Sequence, residues 1–578
     1  MSALNWKIAG AAGEGIKVAG LILSKTAFRQ GFYLNGYTEY PSLIRGGHNT
    51  FQTLISSEEN AALAPTISLD VLVTLNANGL MEHQMELNDQ TVILANTRLI
   101  EKELADFPAK NQVLHLPYHE LADESGGGAL VRNIVSLGAS CFFLGLKLSL
   151  LNQVIEETFG RKGEAVVTQN QKAAQLGFDY AQKNYFGKKM VALPQTQKEK
   201  SLFLTGNEAL SLGAIAGGMK FFSAYPMTPT SSILHYLSQK EKQFKLVVRH
   251  AEDEIGVINS AIGAAYSGVR AMVATAGGGF SLMVEGLGLA GVSETAIVVV
   301  LGQRPGPATG MPTWTSQGDL LFAINASQDE FPRIVITPGD MTEAFASGYW
   351  AQNWAEKYQL PVIIITDKYL AESYFTTKEF TKTHQNNRYG FTDTSKRDNL
   401  EPYARYQNTD SGVSPRPLPG QRGGVHLTNS YEHDELGYAT EIAKERKLQV
   451  DKRFKKFAAI MADPDRFHPI LYGPKEAKNT LVSWGSNKTI ILKALASLPN
   501  TNFIHLPWVW PFPAKELLTL MAKSKRLITV EGNRMGQLNR LIRQETGLII
   551  KDQLLKYDGR PFYAEEIINK LKESHGAN

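Results

Sequence analysis

Apolar residues recur along the chain in short blocks, each followed by a glycine-, proline- or hydroxyl-rich stretch and then by a helix-period segment. The first phrase is Leu4-Asn5-Trp6-Lys7-Ile8-Ala9, a predicted strand, then the glycine-rich Gly10 to Gly15, then a helical pattern from Ile16 to Gln30. Further strands are predicted at Val71 to Leu75 and Thr91 to Ala95, with helical stretches between. Strands alternating with helices indicate a parallel or mixed sheet flanked by helices. The polar run Pro194 to Lys200 breaks the pattern and reads as a linker.

Beyond it the phrase returns four times, with strands predicted at Lys220 to Tyr225, Lys245 to Val248, Ala271 to Ala274 and Ala296 to Leu301. The loops after them read YPMTPTSS, RHAEDEIG, TAGGGFS and GQRPGPATG. In a doubly wound sheet all four lie along the carboxyl edge of the parallel strands, where ligands bind. From about 376 to 435 the chain turns polar and should wrap a surface rather than build a core. A charged amphipathic pattern, Glu435 to Met461, predicts a helix whose basic residues form its solvated face. Strands are predicted again at Thr480 to Trp484, Asn502 to Leu506 and Arg526 to Val530. The expected organisation is a multidomain α/β chain: 1–190, 201–375, a connecting segment and helix over 376–475, and a C-terminal α/β domain over 476–578.

Composition acts mainly by exclusion. At 578 residues the chain exceeds a single core, and about three to five domains are expected. Hydrophobic residues at 43% and charged residues at 20% are ordinary for a globular protein and argue against extensive disorder. Sixty basic against 56 acidic residues leave +4, too small a balance to indicate nucleic-acid binding. The one cysteine, Cys141, excludes a disulfide framework and a cysteine-ligated zinc or iron–sulfur site within this chain, and its apolar setting reads as core. No signal-type segment or bilayer-length apolar span appears, so a cytoplasmic, membrane-free protein is expected.

Four stretches could carry chemistry. In AYPMTPTSSI, Pro226 and Pro229 fix φ and remove two backbone donors, so Thr228 between them is held stiffly at the end of a strand. Thr230, Ser231 and Ser232 are capping candidates. Glu252, Asp253 and Glu254 stand where a strand becomes a helix, and helix-terminal charge complementarity is the better reading for two of the three. A carboxylate turned into the crevice could share a proton with a heterocyclic nitrogen, and spacing alone does not choose which. Arg304, in the stiff loop GQRPGPATGMPT, could grip a carboxylate through two hydrogen bonds, or be an ordinary surface arginine. Thr309, Thr313 and Thr315 add hydroxyls nearby. Gly10, Gly13 and Gly15 form GxxGxG, which is not the dinucleotide fingerprint; close strand–helix packing and phosphate contact are its two readings.

Taken together, these elements resemble the fused γ–α subunit of the 2-oxoacid:ferredoxin oxidoreductases over nearly the whole chain. The resemblance is carried by YPMTPTSS, AEDEIGVINSAIGAAYSGVRA and GQRPGPATGMPTWTSQGDL, by GAAGEGIKVAG with YPSLIRGGHN near the N-terminus, and by YEHDELG, VEGNRMGQLNRLIR and DGRPF. It implies a γ-type α/β domain, a doubly wound domain of the thiamine-diphosphate pyrimidine type, and a transketolase-C-like C-terminal domain. Glu254, nine residues before Gly263, matches the glutamate that hydrogen-bonds N1′ of the thiamine aminopyrimidine. Thr228 and Arg304 are implied to hold the 2-oxoacid carboxylate, Thr313 to line the substrate pocket, and Pro226 to lie beside the cofactor. Gly13, Gly15 and Arg45 are the implied coenzyme A contacts.

The same resemblance implies a separate β subunit that carries a [4Fe-4S] cluster and binds the diphosphate with Mg²⁺. An (αβ)₂ heterotetramer reducing ferredoxin follows from it. The expected reaction converts 2-oxoglutarate, coenzyme A and oxidised ferredoxin to succinyl-CoA, carbon dioxide and reduced ferredoxin, in either direction. Pyruvate, indolepyruvate or a branched-chain 2-oxoacid are alternative substrates, and a non-catalytic acyl-CoA-binding scaffold is an alternative role. A nicotinamide-dependent dehydrogenase ranks behind these, for want of a fingerprint. Departures from the family pattern are Met227, the loop AGGGF, Pro305, and Trp314 at a position often basic in relatives.

Overall fold

The computed structural model describes residues 3–42, 47–105, 107, 112–188, 193–194, 200–381, 386–397 and 402–573. The chain divides into two compact units: Met1–Leu204 with Ser373–Glu379 and Tyr563–Asn578, and Thr205–Glu372 with Phe380–Phe562.

The first unit is built on an eight-stranded sheet in the order Gln112–His115, Val92–Ala95, Val71–Thr74, Ala3–Ala11, His48–Ser56, Tyr33–Glu39, Tyr374–Lys378, Ser201–Thr205. Ala3–Ala11 pairs parallel with Val71–Thr74 and antiparallel with His48–Ser56, so the sheet is mixed. Two of its helices, Arg132–Leu144 and Glu164–Tyr185, touch backbone to backbone. A Cβ on Gly138 would stand 1.9 Å from the Ala174 carbonyl oxygen, and one on Gly177 would stand 2.0 Å from that of Val135. Cys141 lies in the first of these helices, fully buried, and desolvation pushes its thiol far above the ordinary range. It is a core residue.

The second unit carries a seven-stranded sheet in the order Trp508–Trp510, Ile334–Ile336, Pro361–Asp367, Ile297–Gln303, Ala271–Ala276, Phe221–Ala224, Val247–His250. All pairs are parallel except the outermost, where Trp508–Trp510 runs antiparallel to Ile334–Ile336. The central strands are apolar on both faces because helices cover both. Each fully buried Val, Leu or Ile there contributes about 1.5–3 kcal/mol. A five-stranded sheet follows, in the order Ile470–Tyr472, Thr501–Leu506, Asn479–Trp484, Arg526–Glu531, Asp552–Leu555. Val299 and Leu301 of the larger sheet share one core with Val482, Trp484 and Ile504 of the smaller.

Two expectations are corrected here. The strand expected at Lys245 to Val248 runs from Val247 to His250, because Lys245 ends the preceding helix with φ +52 and turns the chain. The charged helix begins at Ala443, since the Asp434 carboxylate accepts from the amides of Leu436 and Tyr438 and holds that stretch as a turn. Nor do all its basic residues face water: Lys452, Arg453 and Lys456 are buried. Lys452 and Lys456 each donate to Glu294 at 2.6 Å, and Arg453 pairs with Glu432 at 2.7 Å. Burial alone would raise the Glu294 carboxyl, but Lys452, Lys456 and Arg405 overcome it and hold it well below the ordinary range. Burial in turn brings Lys452 down to about 8 against the pull of Glu294. A cation surplus inside a core is tolerated only with such direct pairing.

Candidate active-site crevice

The carboxyl edge of the seven-stranded sheet brings the chemistry of the second unit together. At the loop after Phe221–Ala224, Arg304 donates from Nη1 to the carbonyl oxygen of Thr228 at 2.9 Å. The Thr228 hydroxyl has no partner among the described residues, whereas Thr230 is buried and its hydroxyl donates to the Met227 carbonyl at 2.9 Å. Thr230 thus occupies the N-cap position of Ser231–Phe244 without capping it, and Ser232 instead pairs with Asn207 Nδ2 at 2.8 Å. A Cβ on Gly302 would stand 2.6 Å from Thr230 Cγ2 and 3.0 Å from Pro229, so the loop packs directly on the end of the next-but-one strand. Pro226 is exposed.

The acidic triplet separates cleanly. Asp253 is the N-cap of Glu254–Tyr266, accepting from the Gly256 amide at 2.7 Å, and Glu252 is exposed. Glu254 points inward and is 3% exposed, and its Oε1 has no hydrogen-bond partner. The cause is local: the cap fixes the direction of the first turn, which sends the next side chain into the crevice. Facing it, Ala271–Ala276 gives way at once to the helix Gly277–Val292, whose first turn is all glycine. A Cβ on Gly279 would stand 2.4 Å from Glu254 Oε1 and 2.1 Å from Thr275 Oγ1. Thr275 in turn donates toward Met227 Sδ at 3.9 Å, which links the glutamate to the Thr228 loop.

Such a buried, unpaired carboxyl oxygen costs about 1–3 kcal/mol unless something supplies a donor. Glycine at 279 lets the helix backbone lie directly against that oxygen, where a side chain would not fit. This donor-seeking carboxyl and its side-chain-free cradle fit the edge of an aminopyrimidine, as thiamine diphosphate would present. Arg304 is half-buried, burial lowering its pKa, and only its Nη1 is used by Thr228. Its remaining donors suit a carboxylate. Thr313 is buried in the same loop, Thr309 is exposed, and Thr315 donates to Asp367 at 3.1 Å. Trp314 lies under the Arg560 guanidinium, 3.2 Å from ring centroid to Cζ. Among the described residues no cluster of three or more His, Cys, Asp or Glu side chains could hold a metal.

Comparison with known proteins identifies the family. The family model for pyruvate flavodoxin/ferredoxin oxidoreductase, thiamine diphosphate-binding, matches residues 212–452, and that for pyruvate ferredoxin/flavodoxin oxidoreductase matches 5–180. The chain is 33% identical to a Sulfolobus 2-oxoacid:ferredoxin oxidoreductase subunit alpha, covering 98% of this chain and 96% of that one. It belongs to the 2-oxoacid:ferredoxin oxidoreductase family. A further relative, the 2-oxoglutarate synthase subunit KorA of Methanothermobacter thermautotrophicus, is 30% identical over 64% of this chain and 97% of its own. The solved 2-oxoglutarate:ferredoxin oxidoreductase of Magnetococcus marinus, with 2-oxoglutarate, coenzyme A and succinyl-CoA bound, superposes with a TM-score of 0.91 at 29% identity, covering 99% of both chains.

For this member of the oxidoreductase family, the Asp253–Glu254 pair gives a direct test of which carboxylate does what. Asp253→Ala removes a cap and is expected to cost about 1 kcal/mol of stability. The mutant's thermal midpoint should fall, and because the cap also aims Glu254, cofactor-dependent activity per folded complex should fall too, though far less than when Glu254 itself is removed.

In the first unit, Gly13 and Gly15 both have positive φ, +101 and +71, and Gly15 precedes the helix Ile16–Arg29. A Cβ on Gly15 would stand 2.5 Å from Asn133 Nδ2, so close packing accounts for that glycine. Nothing lies within 4 Å of a Cβ on Gly13, where the positive φ is the reason for glycine. Arg45 lies outside the described residues. Sequence reasoning passed over Asp319, in the TSQGDL stretch. A Cβ on Gly277 would stand 2.9 Å from its Oδ2, and burial pushes its carboxyl up to about 6.

Proposed function

We propose that this chain is the α subunit of a coenzyme A-dependent 2-oxoglutarate:ferredoxin oxidoreductase and that its crevice holds the aminopyrimidine of thiamine diphosphate. The observation that carries the reading is the buried, unpartnered Glu254 Oε1 set against the Gly279 wall. When bound, thiamine diphosphate supplies the carbon nucleophile for the 2-oxo group and the electron sink for loss of carbon dioxide.

Within that reaction each residue of this chain has a definite task. Glu254 shares a proton at Oε1 with the ring nitrogen N1′, and the burial that leaves it dry strengthens the bond. Arg304, tethered by Nη1 to the Thr228 carbonyl, grips the substrate carboxylate with its other donors. The Thr228 hydroxyl adds a donor held in place before substrate arrives, so little ordering entropy is lost on binding. Thr313 lines the pocket, and Pro226 borders the cofactor. Gly13, Gly15 and Arg45 would contact coenzyme A.

The chain has a single, buried cysteine, so the electrons must leave through a partner. We assign the [4Fe-4S] cluster, the Mg²⁺ and the diphosphate contacts to a β subunit, in an (αβ)₂ heterotetramer that passes electrons to ferredoxin. No single described helix is long and apolar enough to cross a membrane, and a cytoplasmic setting suits a ferredoxin partner. The 2-oxoglutarate assignment is supported by the coverage and similarity to the Magnetococcus marinus enzyme and to the KorA relatives.

The test is an oxoacid panel on the complex co-expressed with its β subunit. Coenzyme A-dependent viologen reduction is expected, with 2-oxoglutarate giving the highest kcat/KM, at least about tenfold above pyruvate. A preference for pyruvate, indolepyruvate or a branched-chain acid would replace the substrate assignment. Assembly without any oxoacid-dependent reduction would favour the scaffold role.

A further inference from the structure

The five-stranded sheet has a switch point of its own. From Asn479–Trp484 the chain passes through the helix Asn487–Leu495 to Thr501–Leu506 on one side, while Arg526–Glu531 lies on the other. The loops that leave Asn479–Trp484 and Arg526–Glu531 therefore diverge at the carboxyl ends of two neighbouring parallel strands. In an open α/β sheet that crevice is where a ligand binds.

A side chain of this same chain fills it. Gln317, from the loop that begins at Arg304, is 2% exposed. Its Oε1 accepts from Asn487 Nδ2 and from the Gly532 amide, both at 2.8 Å, and its Nε2 donates to the Trp484 carbonyl at 3.0 Å. The Gln317 main chain adds two more bonds. Its amide donates to the Gly532 carbonyl at 2.8 Å, and its carbonyl accepts from Asn533 Nδ2 at 3.1 Å. Both strand ends are kept bare for it: a Cβ on Gly485 would stand 3.0 Å from Gln317 Nε2, and one on Gly532 would stand 3.1 Å from Gln317 Cγ.

The grip extends along the loop. Gln537 donates to the Gly318 carbonyl at 2.6 Å, the Thr315 amide donates to the Gly559 carbonyl at 3.0 Å, and Arg560 lies over Trp314. The stretches VEGNRMGQ and DGRPF, which carry no chemistry in the reading above, thus both end on this loop. Toward Arg304 the loop is tied to itself. The Met311 amide donates to the Pro305 carbonyl at 2.9 Å, the Trp314 amide to the Met311 carbonyl at 3.2 Å, and the Asp319 amide closes the base on Gln303 Oε1 at 2.9 Å.

We infer that the five-stranded sheet is the holder of the substrate loop, and that Gln317 is the positioning residue through which it sets Arg304 and Thr313. This rests on the substrate reading above, in which those two residues meet the 2-oxoacid. The hydrogen bonds of Gln317 go to its own chain, so it acts through the loop. Its effect is therefore selective. Constants for the 2-oxoacid move with the loop, whereas thiamine diphosphate affinity depends on Glu254, which a different strand end and helix carry.

The experiment compares α–β complexes of wild type, Gln317→Ala, Gly532→Ala and Arg304→Ala. Steady-state constants for 2-oxoglutarate and coenzyme A are measured, with thiamine diphosphate affinity by calorimetric titration in the presence of Mg²⁺. Gln317→Ala is expected to lower kcat/KM for 2-oxoglutarate about tenfold, KM and kcat each moving about threefold, because a loosened loop misplaces the groups that orient the substrate. Thiamine diphosphate affinity and kcat/KM for coenzyme A should stay within about twofold of wild type, since neither depends on that orientation. Gly532→Ala keeps Gln317 but crowds it from the strand end, at a backbone position without positive φ. It should show the same pattern at about threefold.

An unchanged kcat/KM for 2-oxoglutarate in a folded Gln317→Ala complex overturns the inference. So does a loss of thiamine diphosphate affinity by the same factor, the mark of a general loosening. If Gln317→Ala does not assemble, Gly532→Ala decides by the same two criteria. Should Arg304→Ala itself leave kcat/KM for 2-oxoglutarate unchanged, the substrate reading falls and the inference with it. A large loss in Arg304→Ala beside an unaffected Gln317→Ala sinks the inference alone.

Discussion

Glu254→Ala is expected to lower kcat at least about 10³-fold, with the α–β complex still assembled and its thermal midpoint unchanged or slightly higher. The size follows from the role. Positioned acid–base groups contribute about 10²–10⁴-fold, and in the proposed reading the proton shared with N1′ would be used in every turnover. The stability half of the prediction has a separate cause. Glu254 Oε1 is buried and unpartnered, so truncation removes an unsatisfied polar group instead of breaking a bond. Few active-site changes should look so harmless in a melt and so severe in an assay. Glu254→Gln keeps the shape and can still hydrogen-bond, but it cannot exchange the proton, and should recover less than about tenfold of the lost rate. The comparison uses coenzyme A-dependent viologen reduction with 2-oxoglutarate, alongside scanning calorimetry of the same preparations. Near-normal turnover in the alanine variant would sink the assignment of Glu254, and with it the crevice as the reacting site.

Why this residue was ambiguous in sequence shows where sequence reading stops. The strand–loop–helix phrase and its carboxyl-edge loops were legible because period and punctuation are local properties of the chain. Three adjacent acids at a helix start are not separable that way. The choice depends on the first helical turn: Asp253 bonds the Gly256 amide, and the next side chain is thereby aimed at Gly279, 25 residues away. The buried lysines of Ala443–Met461 were misread for a similar reason. Their partner, Glu294, is 158 residues from Lys452, and no pattern within the helix announces it. Trp508–Trp510 joining the edge of the larger sheet is likewise a long-range pairing.

Arg304→Ala is expected to reduce kcat/KM for 2-oxoglutarate by about 10²-fold, through a higher KM and a lower kcat together. A charge-assisted hydrogen bond is worth about 1.5–3 kcal/mol, and a carboxylate released from its grip loses at least one. If the arginine only captured substrate, the loss would appear in KM with kcat intact. Orientation predicts more: the carboxylate fixes the 2-oxo carbon against its nucleophile, so a loosely held substrate also reacts more slowly. Arg304→Ala further frees the Thr228 carbonyl, since Nη1 holds it at 2.9 Å, and could disturb the loop by that route alone. Arg304→Lys separates the two effects. Lysine restores a positive charge but not the planar fork, so it should recover much of KM and little of kcat. Thr228→Ala, which removes the hydroxyl and leaves the backbone carbonyl in place, should cost less than about tenfold. A Thr228→Ala variant as damaged as Arg304→Ala would move the carboxylate grip from the guanidinium to the hydroxyl. An unchanged KM in Arg304→Ala would remove Arg304 from the substrate altogether.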